Sequence, residues 1–209
     1  MKITTTWETA TNPVHYLAAL DKMEHYVDDI IEKAASNKIW LLEHFDVYTG
    51  GSSADIKDLI NSHGIEVINT NRGGKFTYHG IGQRIVYPMI NLQESKDIRL
   101  YITSLEDWII TTLQDFNVDA FKKDGMIGIW TTEMGVDKKI AAIGVRVRKW
   151  VAYHGIAINV NPDLTKFSGI VPCGISNFGV TSLQALKKNV SLNEFDSSLK
   201  INFNKVFGK

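Results

Sequence analysis

The chain has 209 residues, enough for one large domain or two small ones with a substantial core. Its 44% hydrophobic and 22% charged residues are those of a globular protein, and 23 basic residues balance 23 acidic ones, which argues against a dedicated nucleic-acid or membrane-surface protein. A single cysteine, Cys173, excludes an internal disulfide and a four-cysteine zinc site and points to a cytoplasmic protein.

The elements follow in chain order. Thr11-Asn12-Pro13 signals a helix start, and Leu17, Leu20, Met23, Val27, Ile30 and Ile31 recur at helical spacing behind it. Residues 39–42 form a short apolar run that predicts a buried strand. Residues 49–53 predict a loop, and residues 55–61 a short helix. Residues 65–70 read as a strand, residues 72–83 as a glycine-rich loop, and residues 84–92 as a strand that Pro88 places at an edge or a bulge. Residues 97–116 carry a second amphipathic stripe: Ile98, Tyr101, Ile102, Leu105, Trp108, Ile109, Thr112 and Leu113. Residues 127–131, 139–147 and 151–160 are β-rich, and residues 182–188 and Leu192–Phe207 predict helices. Helices mixed with neighbouring hairpin-like strands predict one α/β or α+β domain over residues 1–209, with a mixed β-sheet flanked by helices. No run approaches the ~18 apolar residues needed to span a bilayer, and residues 1–6 lack the apolar stretch of a secretory signal.

Chemistry concentrates in three places. The run Arg72-Gly73-Gly74-Lys75-Phe76-Thr77-Tyr78-His79-Gly80-Ile81-Gly82-Gln83 holds four glycines between two apolar strands. Such a loop brings backbone amides close to a ligand, because glycine has no Cβ to keep the ligand away. Cys173 lies between Pro172 and Gly174. A lone cysteine is most often a buried packing residue. Here, however, proline fixes φ before it and glycine frees the backbone after it, a specified turn whose amides suit an oxyanion.

A nucleophilic thiol needs a basic or cationic neighbour. Lys139 heads a small, apolar strand, where the ordinary reading is a snorkelling lysine; Lys138 points to the other face and to solvent. His79 and His154 each precede a glycine, and either can serve as the base. The six histidines show no metal-ligand spacing.

The ordered set of blocks from about residue 40 to residue 186 resembles the lipoyl(octanoyl) transferases. The blocks are Glu43-His44, Tyr48-Thr49-Gly50, the Arg72–Gln83 run, the Lys139-led segment, Tyr153-His154-Gly155-Ile156-Ala157-Ile158-Asn159-Val160, and Phe167 with Pro172-Cys173-Gly174. Two positions depart from the pattern: Ile81 stands where the family usually has proline, and Asn71 where an acidic residue is frequent.

The resemblance implies the biotin and lipoate protein ligase fold and the first step of endogenous protein lipoylation. An octanoyl group would pass from acyl carrier protein to a lysine on lipoyl domains of oxo-acid dehydrogenases or the glycine-cleavage H protein. Cys173 would carry it as a thioester, with Lys139 as acid and base. By the same resemblance, Arg72, Gly73, Gly74, Lys75, Phe76, Thr77, Tyr78 and His79 would line the acyl site with Ala142, Ile143, Gly144, Gly155, Ile156 and Ala157. No cofactor is implied, and no phosphate loop ending in glycine-lysine-serine/threonine occurs. Acidic carriers would suit the basic cluster Arg146, Arg148 and Lys149, although a solvated strand face reads the same way. Two rivals stand beside this reading: an ATP-dependent lipoate ligase on the same fold, and an inactive acyl-binding relative.

Overall fold

The computed structural model describes residues 3–171 and 179–208; Cys173, with Pro172 and Gly174 beside it, lies outside the described residues. In order the elements are β1 (Thr5–Thr9), α1 (Tyr16–Lys33), β2 (Asn37–Leu42), β3 (Val47–Gly50), β4 (Glu66–Asn69), β5 (Phe76–His79), β6 (Gln83–Asn91), α2 (Ile98–Gln114), β7 (Ala120–Lys123), β8 (Met126–Glu133), β9 (Val136–Arg148), β10 (Val151–Asn159), β11 (Gly179–Val180) and α3 (Leu192–Phe207). Short 3₁₀ turns lie at Ile56–Asp58 and Leu164–Gly169.

The larger sheet runs β1-β2-β6-β10-β9-β8-β7, with β11 added alongside β9. β1–β2 and β11–β9 are parallel and the remaining pairs antiparallel, which makes the sheet mixed. Alternation along the central strands explains why both faces are covered. Ile39, Leu41, Val86, Ile90, Ile156 and Ile158 pack under α2 and α3, against Trp108, Leu113, Phe195 and Phe203. Trp40, Leu42, Ile85, Tyr87, Met89 and Tyr153 pack under α1, against Ala19, Met23, Val27 and Ile30.

Helix ends follow local chemistry. Asp97 caps α2 by accepting from the Leu100 amide, and Ser191 with Glu194 forms a capping box that starts α3 where the sequence predicts. A smaller sheet, β4-β3-β5, has its own core of Tyr48, Phe76, Tyr78, Phe167 and Ile170.

Several expectations change. Thr49 and Gly50 belong to β3, and residues 76–79 of the glycine-rich run form β5, because the two segments pair with each other. Residues 182–188 are turns, not a helix. The helix expected over residues 55–61 shrinks to one 3₁₀ turn.

Pro88 is not at an edge, since β6 lies between β2 and β10. The missing amide is met by a gap in the ladder. Pairing of β10 with β6 stops at Ala152↔Ile90 and resumes at Ile156↔Val86. Within the gap His154 takes a left-handed φ of 59° and gives its amide to Met23 Sδ at 3.3 Å. Gly155 is required there, because a Cβ would stand 2.3 Å from the Val86 oxygen and 2.5 Å from Pro88 Cδ. The irregularity carries His154 to the α1 side of the sheet, beside Tyr87.

Candidate active site

The smaller sheet and the glycine-rich run fold over the larger sheet and leave a cavity of about 350 Å³ between them. Its floor is the β9–β10 pair, where Ala142 faces Ala157, Ile143 faces Ile156 and Gly144 faces Gly155. Small side chains in register leave the room that large ones would fill. Arg72, Gly73, Gly74, Lys75, Phe76, Thr77 and His79 form the opposite wall, and Lys139 lines the same space. The sequence-predicted residues therefore converge, with two exceptions. Tyr78 faces the core of the smaller sheet, packs on Phe167 and donates to Asp46 Oδ1 at 2.7 Å. Cys173 lies outside the described residues.

A bulge aims Lys139. The β8–β9 register shifts between Ile129 and Trp130, so two consecutive residues of β9, Ile140 and Ala141, both face the core under α2. Without that shift, alternation would send Lys139 to the side of Ile143 and Val145; with it, Lys139 joins Ala142 at the cavity. The side chain is 7% exposed, and Nζ donates to the Ile127 carbonyl at 3.0 Å and lies 4.8 Å from the Trp130 ring centre. Lys138 faces away and bonds Glu133 at 3.0 Å. Gly128, with φ of 121°, clears space for the lysine, since a Cβ there would lie 3.2 Å from Lys139 Cε.

Arg72 organises the loop. Its guanidinium donates to the Thr49 carbonyl at 2.7 Å, Thr49 Oγ1 at 2.8 Å, the Lys75 carbonyl at 3.0 Å and the Gly73 carbonyl at 3.0 Å. The loop is then laid on β9 by Gly73 N–H, which donates to the Val145 carbonyl at 3.0 Å. Gly144 permits this approach, because its Cβ would stand 2.8 Å from the Gly73 oxygen.

The two departures from the family pattern find local explanations. Asn71 accepts from His154 Nε2 at 3.2 Å and donates to Glu24 Oε1 at 3.4 Å. An amide can do both, whereas a carboxylate would face the Glu24 carboxylate. Ile81 is exposed in the β5–β6 turn, whose shape is set by Gly82 at φ of 90° and by Glu43, which accepts from the Gly82 amide at 2.7 Å. The basic cluster is partly committed: Arg148 is ion-paired with Asp28, and Arg146 donates to the Asn71 carbonyl at 2.9 Å.

Three buried histidines surround the inner wall. Burial pushes His44 down to about 4, against a hydrogen bond to the Val14 carbonyl. Burial, then the Arg72 and Arg146 charges, pushes His154 down to about 3. His79 lies well below the usual range, chiefly through burial and then through His44 and Arg72. All three are neutral when folded, while an unfolded histidine titrates near 6.5. Below that pH the unfolded chain binds up to three more protons, so stability falls as pH drops from about 6.5 toward 4, by up to about 4 kcal/mol per pH unit. The urea midpoint is expected to be markedly lower at pH 5 than at pH 7.5; equal midpoints would contradict the neutral assignments.

Glu106, Gly128 and Tyr16 were not singled out from the sequence. Tyr16 lines the cavity and stacks on His79. Glu106 falls on the apolar stripe of α2, seven residues before Leu113 and three before Ile109, and that placement was the available signal. Among the described residues no group of His, Cys, Asp or Glu is arranged to hold a metal ion, and no helix is long and apolar enough to cross a membrane.

Comparison with known proteins agrees with this geometry. An octanoyltransferase of Ehrlichia canis is 46% identical over 203 residues, covering 96% of this chain and 95% of the relative. An octanoyltransferase of Rickettsia bellii is 48% identical over 203 residues, covering 95% and 97%. Among solved structures, a bipartite lipoate protein ligase from Thermoplasma acidophilum superposes with a TM-score of 0.73 at 15% identity, over 99% of this chain and 84% of that one. A biotin protein ligase from Aquifex aeolicus gives 0.57 at 14% identity, over 99% and 70%, and both likenesses speak to the fold. The catalytic-domain model of the lipoyl protein ligase A/B proteins matches residues 15–204, and the chain belongs to that family.

Proposed function

We propose that this chain is an acyltransferase that moves an octanoyl group from acyl carrier protein to a lysine of lipoyl domains, through a thioester on Cys173. The acceptors are the lipoyl domains of oxo-acid dehydrogenases and the glycine-cleavage H protein. The observation that carries this reading is the single cavity that joins a small-residue floor to a buried lysine. Its volume suits a small acyl ligand, and burying six methylenes contributes about 5 kcal/mol.

The steps balance without a nucleotide. The Cys173 thiolate attacks the donor carbonyl, the carbon–sulfur bond of the donor breaks, and the Lys139 ammonium gives its proton to the departing thiolate. The acceptor amine then attacks the acyl-enzyme, neutral Lys139 takes its proton, and the Cys173 thiolate leaves. The thiolate is favoured in the first step by the neighbouring cation.

Intact-mass measurement after mixing the protein with octanoyl-acyl carrier protein, without ATP, is expected to show one octanoyl group, lost on Cys173→Ser. Transfer only with free octanoate and ATP would support the ligase instead. No adduct and no transfer under either condition would support an inactive relative.

A further inference from the structure

Two ionisable side chains meet on opposite sides of one peptide unit. Lys139 Nζ donates to the carbonyl of Ile127 at 3.0 Å. The amide of the same peptide, Gly128 N–H, donates to Glu106 Oε1 at 3.3 Å. We propose that Glu106 is a positioning residue for Lys139, acting through the Ile127–Gly128 peptide. Its carboxylate draws on the amide, deepens the negative charge on the carbonyl oxygen, and so holds the ammonium at the cavity wall. The inference rests on Lys139 being the proton carrier.

The geometry favours a purpose for this carboxylate. Glu106 is 8% exposed on the buried arc of α2, among Leu105, Trp108 and Ile109, where an acidic side chain is costly unless it is employed. The peptide it addresses cannot take another form easily. Gly128 has φ of 121°, and a Cβ would stand 2.8 Å from the Ala141 oxygen and 3.3 Å from Lys139 Nζ. The register shift that turns Lys139 toward the cavity lies one residue further along β8. Lysine, bulge, glycine and glutamate therefore form one local construction.

The surrounding charges are few. Lys122 on β7 faces Glu106 but bonds Asp107 at 2.6 Å, and Asp107 is the other acidic neighbour. Lys123 lies across the Trp130 ring from the lysine side and bonds Asp137 at 2.5 Å. Burial raises the Glu106 carboxyl above its ordinary value, opposed by the Gly128 amide and Lys122, with Asp107 adding to the rise. At neutral and alkaline pH its charge still acts on the peptide.

The test is the pH profile of the first half-reaction, read as the single-turnover rate of octanoyl adduct formation on Cys173. Glu106→Gln keeps an oxygen for the Gly128 amide and removes the charge. The alkaline limb is expected to move toward neutrality by about one pH unit, which is a tenfold lower rate on that limb. If Glu106 merely satisfies the amide, glutamine does so equally and the limb stays in place, which overturns the proposal.

Lys139→Arg is the reference, because arginine does not titrate in this range. If its alkaline limb persists unchanged, the reading of Lys139 itself fails and the relay with it. If the limb is lost in Lys139→Arg but unmoved in Glu106→Gln, the relay alone fails. Should the glutamine variant not fold, Glu106→Asp retracts the charge from the amide and is expected to move the limb the same way by less; no movement there also overturns the relay.

Discussion

Lys139→Ala is expected to slow acylation of Cys173 by about 10²–10⁴-fold, the usual contribution of a positioned acid or base. The side chain is buried, aimed by a bulge, and lines the cavity whose floor suits an acyl chain. Loss of a merely structural lysine would leave the Ile127 carbonyl without this donor, at about 1–3 kcal/mol of stability. That loss would appear in the urea midpoint and not as a thousandfold effect on the rate of the folded protein. The rival base is His79, which is buried, held neutral, and engaged with Gln83 Oε1 at 3.2 Å. His79→Gln is therefore expected to acylate within about tenfold of the parent. The measurement is adduct formation followed by intact mass in both variants at one pH. Parental speed in Lys139→Ala, or abolition in His79→Gln alone, would transfer the role to the histidine.

The sequence made the helices legible because their burial repeats every turn. α3 begins and ends where periodicity and the Ser191–Glu194 pair predict. β1 escaped notice because Thr5–Thr9 is short, polar and lies at the sheet edge, where only one neighbour constrains it. β3 and β5 were taken for loop because their glycines sit at the close approach of Gly51 to Gly74, a tertiary feature. Most cavity residues were legible through their resemblance to a family, and Ala142 facing Ala157 then explains why small residues are needed. What the linear pattern could not give is the direction of Lys139. A bulge changes the alternation by one residue, and its cause is a partner strand rather than β9 itself. Gly128 inside an apolar run was the trace of that bulge, since a strand glycine commonly marks one.

Arg72→Lys separates charge from shape, and it is expected to cost about 2–4 kcal/mol of stability while raising the KM for octanoyl-acyl carrier protein about tenfold. The guanidinium serves three carbonyls and one hydroxyl from two nitrogens set in a fixed plane. An ammonium has three donors on one atom and cannot reach oxygens spread across Thr49, Gly73 and Lys75 together, so buried acceptors lose their partner. The substitution keeps the positive charge that depresses His79 and His154, so the electrostatics of the inner wall are nearly preserved. What changes is the seating of the loop against β3 and β9, where Ser52 N–H donates to the Arg72 carbonyl at 2.8 Å and Gly73 N–H to the Val145 carbonyl at 3.0 Å. The loop forms a wall of the cavity without carrying the proposed reacting groups. Alkylation of Cys173, the single cysteine of the chain, is therefore expected to keep its parental rate while donor binding weakens. A lysine variant with the parental urea midpoint and KM would mean that position 72 requires a cation and nothing of its geometry.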